Sequence, residues 1–199
     1  MASGVFLIGA TVAALLIGLL ILTLFVPNLR LWPTPGAGTW QSYVFWPLFR
    51  GLNVLCLVMA IVDQPRNWPG GALGLPIWLR VVAFGLLASS VALFVYAFQR
   101  LGRDNSYGAQ DGLVTAGIYQ WSRNPQNAML VLVYGCLAIA ADSAPTYVLC
   151  AAMMAVYTLM ILLEEPWLAR VYGEPYHQYC RDIPRFFNWR RALIGVRKT

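Results

Sequence analysis

The stretch that decides the fold begins with the polar segment Gly-Leu-Val-Thr-Ala-Gly-Ile-Tyr-Gln-Trp-Ser-Arg-Asn-Pro-Gln-Asn (112–127) and ends on the adjacent carboxylates Glu164 and Glu165. Two apolar runs lie between these polar segments, and a very short turn at 142–145 joins them. A turn of this length folds the second run back along the first as an antiparallel helical hairpin. The arginine-containing loop and the acidic pair then reach the same membrane face, where we expect them to form one site.

Apolar residues dominate the rest of the chain. Of 199 residues, 59% are hydrophobic and 11% are charged, whereas soluble domains carry about 25% charged residues. The long apolar runs predict an all-α, polytopic membrane bundle with about five spans. We expect one domain over 1–199, in which 1–98 forms three N-terminal spans and 99–185 forms a loop, a helical hairpin and an amphipathic tail helix. The predicted spans are 4–26, 44–62, 77–98, 125–141 and 145–163.

The basic residues predict the orientation in the membrane. The net charge is +6, and the basic residues lie in loops and in the tail. A nucleic-acid-binding protein would instead cluster them on a polar surface, so that class is excluded. With the tail in the cytoplasm, all basic residues except Arg66 and Arg80 lie at or near the cytoplasm, which satisfies the positive-inside rule. We therefore expect the N-terminus outside and the site inside, with Arg80 snorkelling to the interface.

The cysteine and histidine content indicates neither a disulfide framework nor a metal site. The chain has four cysteines without a Cys-x-x-Cys pair, and three of them lie in apolar runs. They are expected to be small buried apolar side chains. His177 is the one histidine, so no histidine-rich metal site can form, and we expect this side chain to be exposed.

The polar loop has the residue types of an anion site. Gly112 and Gly117 permit a positive φ and a close backbone approach. Arg123 and Asn124 stand directly before Pro125, a residue suited to the first turn of a helix, where free N–H groups favour anions. An arginine at this place can hold a carboxylate or a phosphate in fork geometry. The alternative is a positive-inside loop in which Asn124 caps the helix.

The acidic pair is predicted to close an apolar span. A carboxylate is unfavourable at a helix C-terminus, so Glu164 and Glu165 there indicate a cationic partner. That partner is Arg123, Arg170 or Arg185, or the ammonium group of a ligand. Consecutive helical residues point about 100° apart, so at most one of the two easily faces the bundle interior. The alternative is a solvated helix end.

Three further side chains are candidates for contact with a substrate. Arg50 lies inside the second span, where it either snorkels or serves an anionic substrate or cofactor. Tyr176 and Tyr179 share one helical face with Tyr172. That stripe either packs against the bundle or reaches the site.

At this point the residues resemble a known family. The pattern of residues 113–125 contains Leu-Val-x-x-Gly-Ile-Tyr and Arg-Asn-Pro, the Glu pair follows, and Tyr-Gly-x-x-Tyr-x-x-Tyr and Pro-Arg lie at 172–185. Together they resemble the isoprenylcysteine carboxyl methyltransferase and phospholipid methyltransferase superfamily of integral membrane enzymes. The upstream segment with Leu101, Gly102, Arg103 and Ser106 also fits. The resemblance covers about half of the chain and is closest to short bacterial members, so it implies a bacterial inner-membrane protein.

The resemblance implies a cytoplasm-facing pocket for S-adenosylmethionine and a lipid-side opening for a membrane-partitioned acceptor. That acceptor is an isoprenylcysteine-like carboxylate, a lipid amine or a small apolar thiol. Arg123 and Glu165 would be catalytic, and Arg50, Tyr176 and Tyr179 would contact the substrate. The cofactor-binding positions carried over are Leu113, Val114, Gly117, Tyr119, Arg123, Asn124, Pro125, Glu164 and Glu165.

Two positions depart from the family pattern. Asn124 stands where the superfamily usually has histidine, and Asn127 stands where it usually has tyrosine. Asparagine keeps its hydrogen bonds but cannot act as a base near neutral pH, so an acid–base role at Asn124 is in doubt.

Two other functions remain open at this stage. Sterol C14-type reductases, which use NADPH, resemble the same C-terminal half and share a Tyr-Cys pair such as Tyr179-Cys180. A non-catalytic membrane accessory protein could keep the hairpin as a scaffold.

Overall fold

A computed structural model describes residues 1–63, 71–102 and 112–188. These ranges are helical and contain no strand, so the predicted all-α fold class is confirmed. Arg66, Arg103, Ser106 and the last basic residues of the tail lie outside the described residues. The described α-helices are α1 (Ala2–Phe25), α2 (Trp40–Val62), α3 (Ile77–Leu101), α4 (Pro125–Ala141), α5 (Ala144–Tyr172) and α6 (Glu174–Asp182), with short 3₁₀ turns at Pro27–Leu29 and Gly117–Gln120.

Helices α1, α2, α3 and α5 are long and apolar enough to cross a membrane, and α4 is a shorter apolar helix of 17 residues. The chain is therefore an integral membrane protein with a polytopic helical bundle. The largest difference from the predicted spans is in α5, which was expected to end at residue 163 but runs on to Tyr172. Pro166 lies inside this helix, and such prolines are tolerated in membrane helices because their surroundings satisfy the freed backbone groups. The acidic pair consequently lies within α5, and the argument from a helix C-terminus was wrong.

The α4–α5 hairpin is the centre of the bundle. Helix α4 packs along α3 and α5, while α5 also contacts α1 and α2. Gly9 permits the close approach of α1 to α5, because a Cβ added there would lie 2.9 Å from a methyl carbon of Leu149. The core between these helices is formed by large apolar side chains, among them Leu16, Leu20, Phe45, Leu52, Met59, Leu149, Met153 and Val156.

The turn of the hairpin is fixed by a buried polar cluster, which we call the turn cluster (Asp63, Arg80, Asp142, Ser143 and Thr146). Asp142 adopts a positive φ of 48° and is fully buried. Its carboxylate accepts the N–H groups of Leu73 and Leu75, each at 3.0 Å, and the hydroxyl of Tyr147 at 3.0 Å. The turn is therefore tied to the chain that precedes α3.

Arg80 belongs to this cluster and does not snorkel, so that expectation was wrong. Its side chain is 2% exposed and donates to the carbonyls of Ala140 and Ala141, each at 3.0 Å. These are carbonyls of the last turn of α4, which a helix cannot satisfy internally. The guanidinium of Arg80 has fixed, forked donors and satisfies these two carbonyls, which explains why a charged residue is retained here.

Candidate functional site

A cavity of about 350 Å³ lies at the opposite end of the hairpin. At the membrane face it is lined by the polar groups of Arg123, Asn124 and Glu164. Farther along the helices its walls are mostly apolar and aromatic. These walls include Trp46, Phe49, Phe94, Phe98, Leu130, Tyr157 and Met160. One space thus joins a charged region to an apolar region inside the bundle.

The loop before α4 has the predicted backbone. Gly112 and Gly117 have φ values of 93° and 64°, and Pro125 begins the helix. The N–H of Arg123 donates to the carbonyl of Pro184 at 3.1 Å, so the loop is held against the segment that follows α6. Asn124 makes no side-chain cap on α4. Its amide instead donates a hydrogen bond to the carboxylate of Glu165 at 3.1 Å.

Glu165 is the centre of an ionic cluster, which we call the Glu165 cluster (Arg123, Asn124, Glu165 and Arg185). One carboxylate oxygen accepts Arg185 Nη2 at 2.6 Å and Nε at 3.0 Å. The other accepts Asn124 Nδ2 at 3.1 Å and lies 3.4 Å from Arg123 Nη2. The hydrogen bond to this carboxylate raises the pKa of Arg185 although burial opposes it. The predicted cationic partners of the acidic pair are therefore Arg123 and Arg185; Arg170 instead donates to the carbonyl of Pro166.

Glu164 faces the cavity, whereas Glu165 does not line it. The Glu164 carboxylate accepts the indole N–H of Trp32 at 3.4 Å. Trp32 is only 4% exposed and packs against Phe45, with ring centroids 4.9 Å apart. The segment after α1 therefore packs against the bundle and brings this indole to the acidic pair.

Arg123 joins the Glu165 cluster to the cavity. Its guanidinium lines the cavity while Nη2 is in contact with Glu165. Its Nε is buried and has no hydrogen-bond partner within the parts of the chain that the structure describes. A buried donor without an acceptor is costly, which makes this group a natural donor to an anionic ligand. The residues present therefore fit a ligand that carries both a carboxylate and a cationic group.

The tail helix closes the cavity from the loop side. Tyr176 and Tyr179 are buried, pack with Tyr119 and line the cavity. The hydroxyl of Tyr179 donates to the backbone carbonyl of Tyr119 at 2.6 Å. Burial raises the pKa of each of these three phenols, so each remains a neutral donor at physiological pH. His177 is exposed, as predicted, and Tyr172 lies across the Gly173 break at the end of α5.

Most of the predicted site residues line this cavity. They are Arg50, Leu113, Val114, Tyr119, Arg123, Asn124, Pro125, Glu164, Tyr176 and Tyr179. Gly117 and Glu165 do not line it, and Glu165 instead lies behind it. Arg50 is exposed, with its guanidinium carbon 5.2 Å from the centroid of the Trp46 ring.

Sequence reasoning missed one polar group in the apolar region of the cavity. Asn53 lies on α2 and accepts hydrogen bonds from the hydroxyls of Tyr134 and Tyr157, the latter at 3.3 Å. Its own amide donates to the carbonyl of Phe49 at 2.6 Å. A polar residue in the middle of a membrane span is a signal for function or for helix contact, and that signal was present in the sequence.

Comparison with known proteins gives a family match. Residues 78–175 match the model of the family described as phospholipid methyltransferase. This range contains α3, the loop, the hairpin and the start of α6. No curated protein and no solved structure matches the chain.

Proposed function

We propose that the chain transfers a methyl group from S-adenosylmethionine to an acceptor dissolved in the bilayer, and the match of residues 78–175 to the phospholipid methyltransferase family model supports this proposal. The observation that carries this proposal is the single cavity that joins Arg123 and Glu164 to an apolar, aromatic region between the helices. A polar cofactor and a lipophilic acceptor can then meet in one space.

The charged end of the cavity suits the amino-acid part of the cofactor. Glu164 offers a carboxylate to the ammonium group, and Arg123 offers its buried Nε to the carboxylate. Glu165 holds Arg123 and Asn124 from behind. We therefore assign Glu164 to direct contact and Glu165 to positioning, which revises the catalytic role expected for Glu165.

The bound cofactor would supply an electrophilic methyl group on a sulfonium centre. In-line displacement of this kind depends chiefly on orientation at near-attack distance. The aromatic walls offer π faces that stabilise a cation, with Tyr119 in the cofactor region. A carboxylate or thiolate acceptor needs no base, whereas an amine would have to arrive neutral. The raised pKa values of Tyr119, Tyr176 and Tyr179 exclude these phenols as bases at neutral pH.

The orientation and the location belong to the same proposal. The site faces the cytoplasm, where soluble S-adenosylmethionine is available, and the N-terminus lies outside a bacterial inner membrane. A reporter fused to the C-terminus is expected to be active only in the cytoplasm. Activity of that reporter only outside the cytoplasm would overturn this orientation.

Calorimetry of the purified protein with S-adenosylhomocysteine tests the cofactor. We expect binding by the wild-type chain and a loss of affinity of about tenfold to a hundredfold in Glu164→Gln, since a charge-assisted hydrogen bond is lost. The matched control is Glu174→Gln, which alters an exposed carboxylate of α6 paired with Arg181 outside the cavity. Binding of NADPH without binding of S-adenosylhomocysteine would favour the reductase. Binding of neither ligand would favour a non-catalytic role.

Methyl transfer from labelled S-adenosylmethionine in membranes tests the acceptor class. We expect the label in the organic-solvent extract, because the cavity walls between the helices are apolar. Label found only in water-soluble products would contradict a membrane-dissolved acceptor.

A further inference from the structure

A second cavity, of about 580 Å³, lies beside the first and shares the walls formed by Trp32 and Trp167. It is enclosed by the last turn of α1, the segment that follows α1, and α5 around Pro166. None of the residues assigned above to the cofactor or the acceptor lines it. This space is therefore separate from the residues to which the methyl transfer is assigned.

Two arginines line this second cavity, Arg30 half-buried and Arg170 exposed, and each donates one hydrogen bond to a backbone carbonyl. Arg30 donates from Nε to the carbonyl of Pro33 at 3.2 Å, with its guanidinium carbon 5.5 Å from the centroid of the Trp167 ring. Arg170 donates from Nε to the carbonyl of Pro166 at 3.3 Å. Each of these contacts uses Nε and leaves the two terminal nitrogens of the guanidinium for another acceptor.

No carboxylate within 1–63, 71–102 or 112–188 forms an ion pair with either arginine. The described ion pairs belong to Arg123, Arg181 and Arg185. Two like charges on one cavity raise its electrostatic energy unless an anion neutralises them. Guanidinium groups match the oxygen geometry of a phosphate, which both arginines can contact from their free ends.

The surroundings of the cavity indicate that such an anion carries an apolar part. The end of α1 exposes Leu24, Phe25 and Val26, of which Phe25 is 80% exposed. Leu24 and Leu162 line the cavity and are also partly exposed. In a membrane-spanning helix these apolar surfaces contact acyl chains, and a tryptophan beside an arginine is typical of the headgroup level.

We propose that this cavity binds an anionic glycerophospholipid, with the phosphodiester between Arg30 and Arg170 and an acyl chain along Leu24 and Leu162. The lipid is a bound component of the bundle and is distinct from the methyl acceptor, because Trp32 and Trp167 form the shared wall between the two cavities. The proposal does not depend on the methyltransferase activity.

Native mass spectrometry of the delipidated full chain in detergent tests the site with three probes: phosphatidylglycerol, phosphatidylcholine and inorganic phosphate. We expect phosphatidylglycerol to bind more tightly than phosphatidylcholine. We also expect its affinity to fall about tenfold or more in the double variant Arg30→Gln/Arg170→Gln, which removes two cations from the headgroup site. The matched control is Arg100→Gln, because Arg100 is also an arginine whose Nε is hydrogen-bonded and whose guanidinium lies over an aromatic ring.

Three results would overturn the proposal. One is equal binding of the two lipids by the wild-type chain. Another is an equal loss of phosphatidylglycerol affinity in the control and in the double variant. The third is displacement of phosphatidylglycerol by inorganic phosphate at similar concentrations, which would indicate a site for soluble phosphate. An unchanged thermal unfolding midpoint in the double variant would show that its fold is intact.

Discussion

The two ends of the α4–α5 hairpin both hold buried charges, but they use them differently. In the turn cluster, the carboxylate of Asp142 and the guanidinium of Arg80 bind backbone groups of neighbouring segments. In the Glu165 cluster, the partners are mostly other side chains, and Arg123 also lines a cavity. One end is closed by main-chain contacts, and the other remains open to a cavity.

The difference indicates how one pair of helices supports both stability and binding. Polar groups that bind the backbone of several segments fix the relative position of those segments, because alternatives leave buried groups unpaired. A buried hydrogen-bond donor without an acceptor lowers the stability of the free protein, and a bound ligand that accepts the bond restores that stability. Substitutions in the turn cluster should therefore change stability, and substitutions around Arg123 should chiefly change ligand binding.

The largest expected effect is that of Asp142→Ala on stability. The substitution removes the acceptor of two backbone N–H groups and one hydroxyl, and it removes a carboxylate that interacts electrostatically with the buried Arg80. We expect the free energy of unfolding in mixed micelles to fall by about 3 kcal/mol. Affinity for S-adenosylhomocysteine below the transition should stay at the wild-type value. Asp182→Ala, on the exposed face of α6, is the control and should behave as the wild type.

The next largest effect is expected for Arg123→Gln, and it concerns ligand binding rather than stability. The loss of a forked cation in the cavity should weaken S-adenosylhomocysteine binding by about tenfold to a hundredfold in calorimetry. The free energy of unfolding should change much less than in Asp142→Ala, because Arg185 and Asn124 still contact Glu165. If Arg123→Gln lowers the free energy of unfolding as much as Asp142→Ala, both ends of the hairpin contribute to stability and the contrast between them fails.

The smallest effect concerns acid pH. Burial pushes the pKa of Asp142 upward, but hydrogen bonds from the N–H groups of Leu73 and Leu75 and from the Tyr147 hydroxyl lower it overall. A carboxyl whose pKa is lowered in the folded state stabilises the fold above its unfolded pKa of about 4, and this stabilisation is lost as the pH falls through the folded value.

Thermal unfolding midpoints measured from pH 7 to pH 2 test this expectation. We expect the midpoint of the wild type to fall below about pH 4, and we expect a shallower fall in Asp142→Asn, whose side chain does not titrate. Identical pH profiles for both proteins would show that other carboxyl groups cause the acid sensitivity.

Much of the fold could be predicted because local signals agree with the final structure. Helix α4 has the predicted bounds, since Pro125 suits a first helical turn and the short turn after Ala141 reverses the chain. The end of α5 was not predicted, because Pro166 is a local stop signal that the surroundings override inside a membrane bundle. The break at Gly173 coincides with two local stop signals, the glycine itself and Pro175.

The candidate site was predictable in its residue types and less so in their arrangement. The predicted hairpin correctly placed Arg123 close to the acidic pair. Which glutamate faces the cavity could not be predicted from the sequence. That choice depends on Trp32, which is 132 residues from Glu164 along the chain. Contacts over such a separation are set by the packing of whole helices, and no local pattern records them.

The length of α5 has a consequence for the depth of the reaction. At about 1.5 Å per residue, an upright α5 places Glu164 about 30 Å from Ala144, which equals the thickness of the hydrocarbon core. The last two turns of the helix then stand in the headgroup layer. The polar end of the cavity then lies at the boundary between the hydrocarbon core and the headgroup layer, so the proposed acceptor would be amphiphilic. Its reactive group would lie at that boundary, and its apolar tail would remain in the hydrocarbon core.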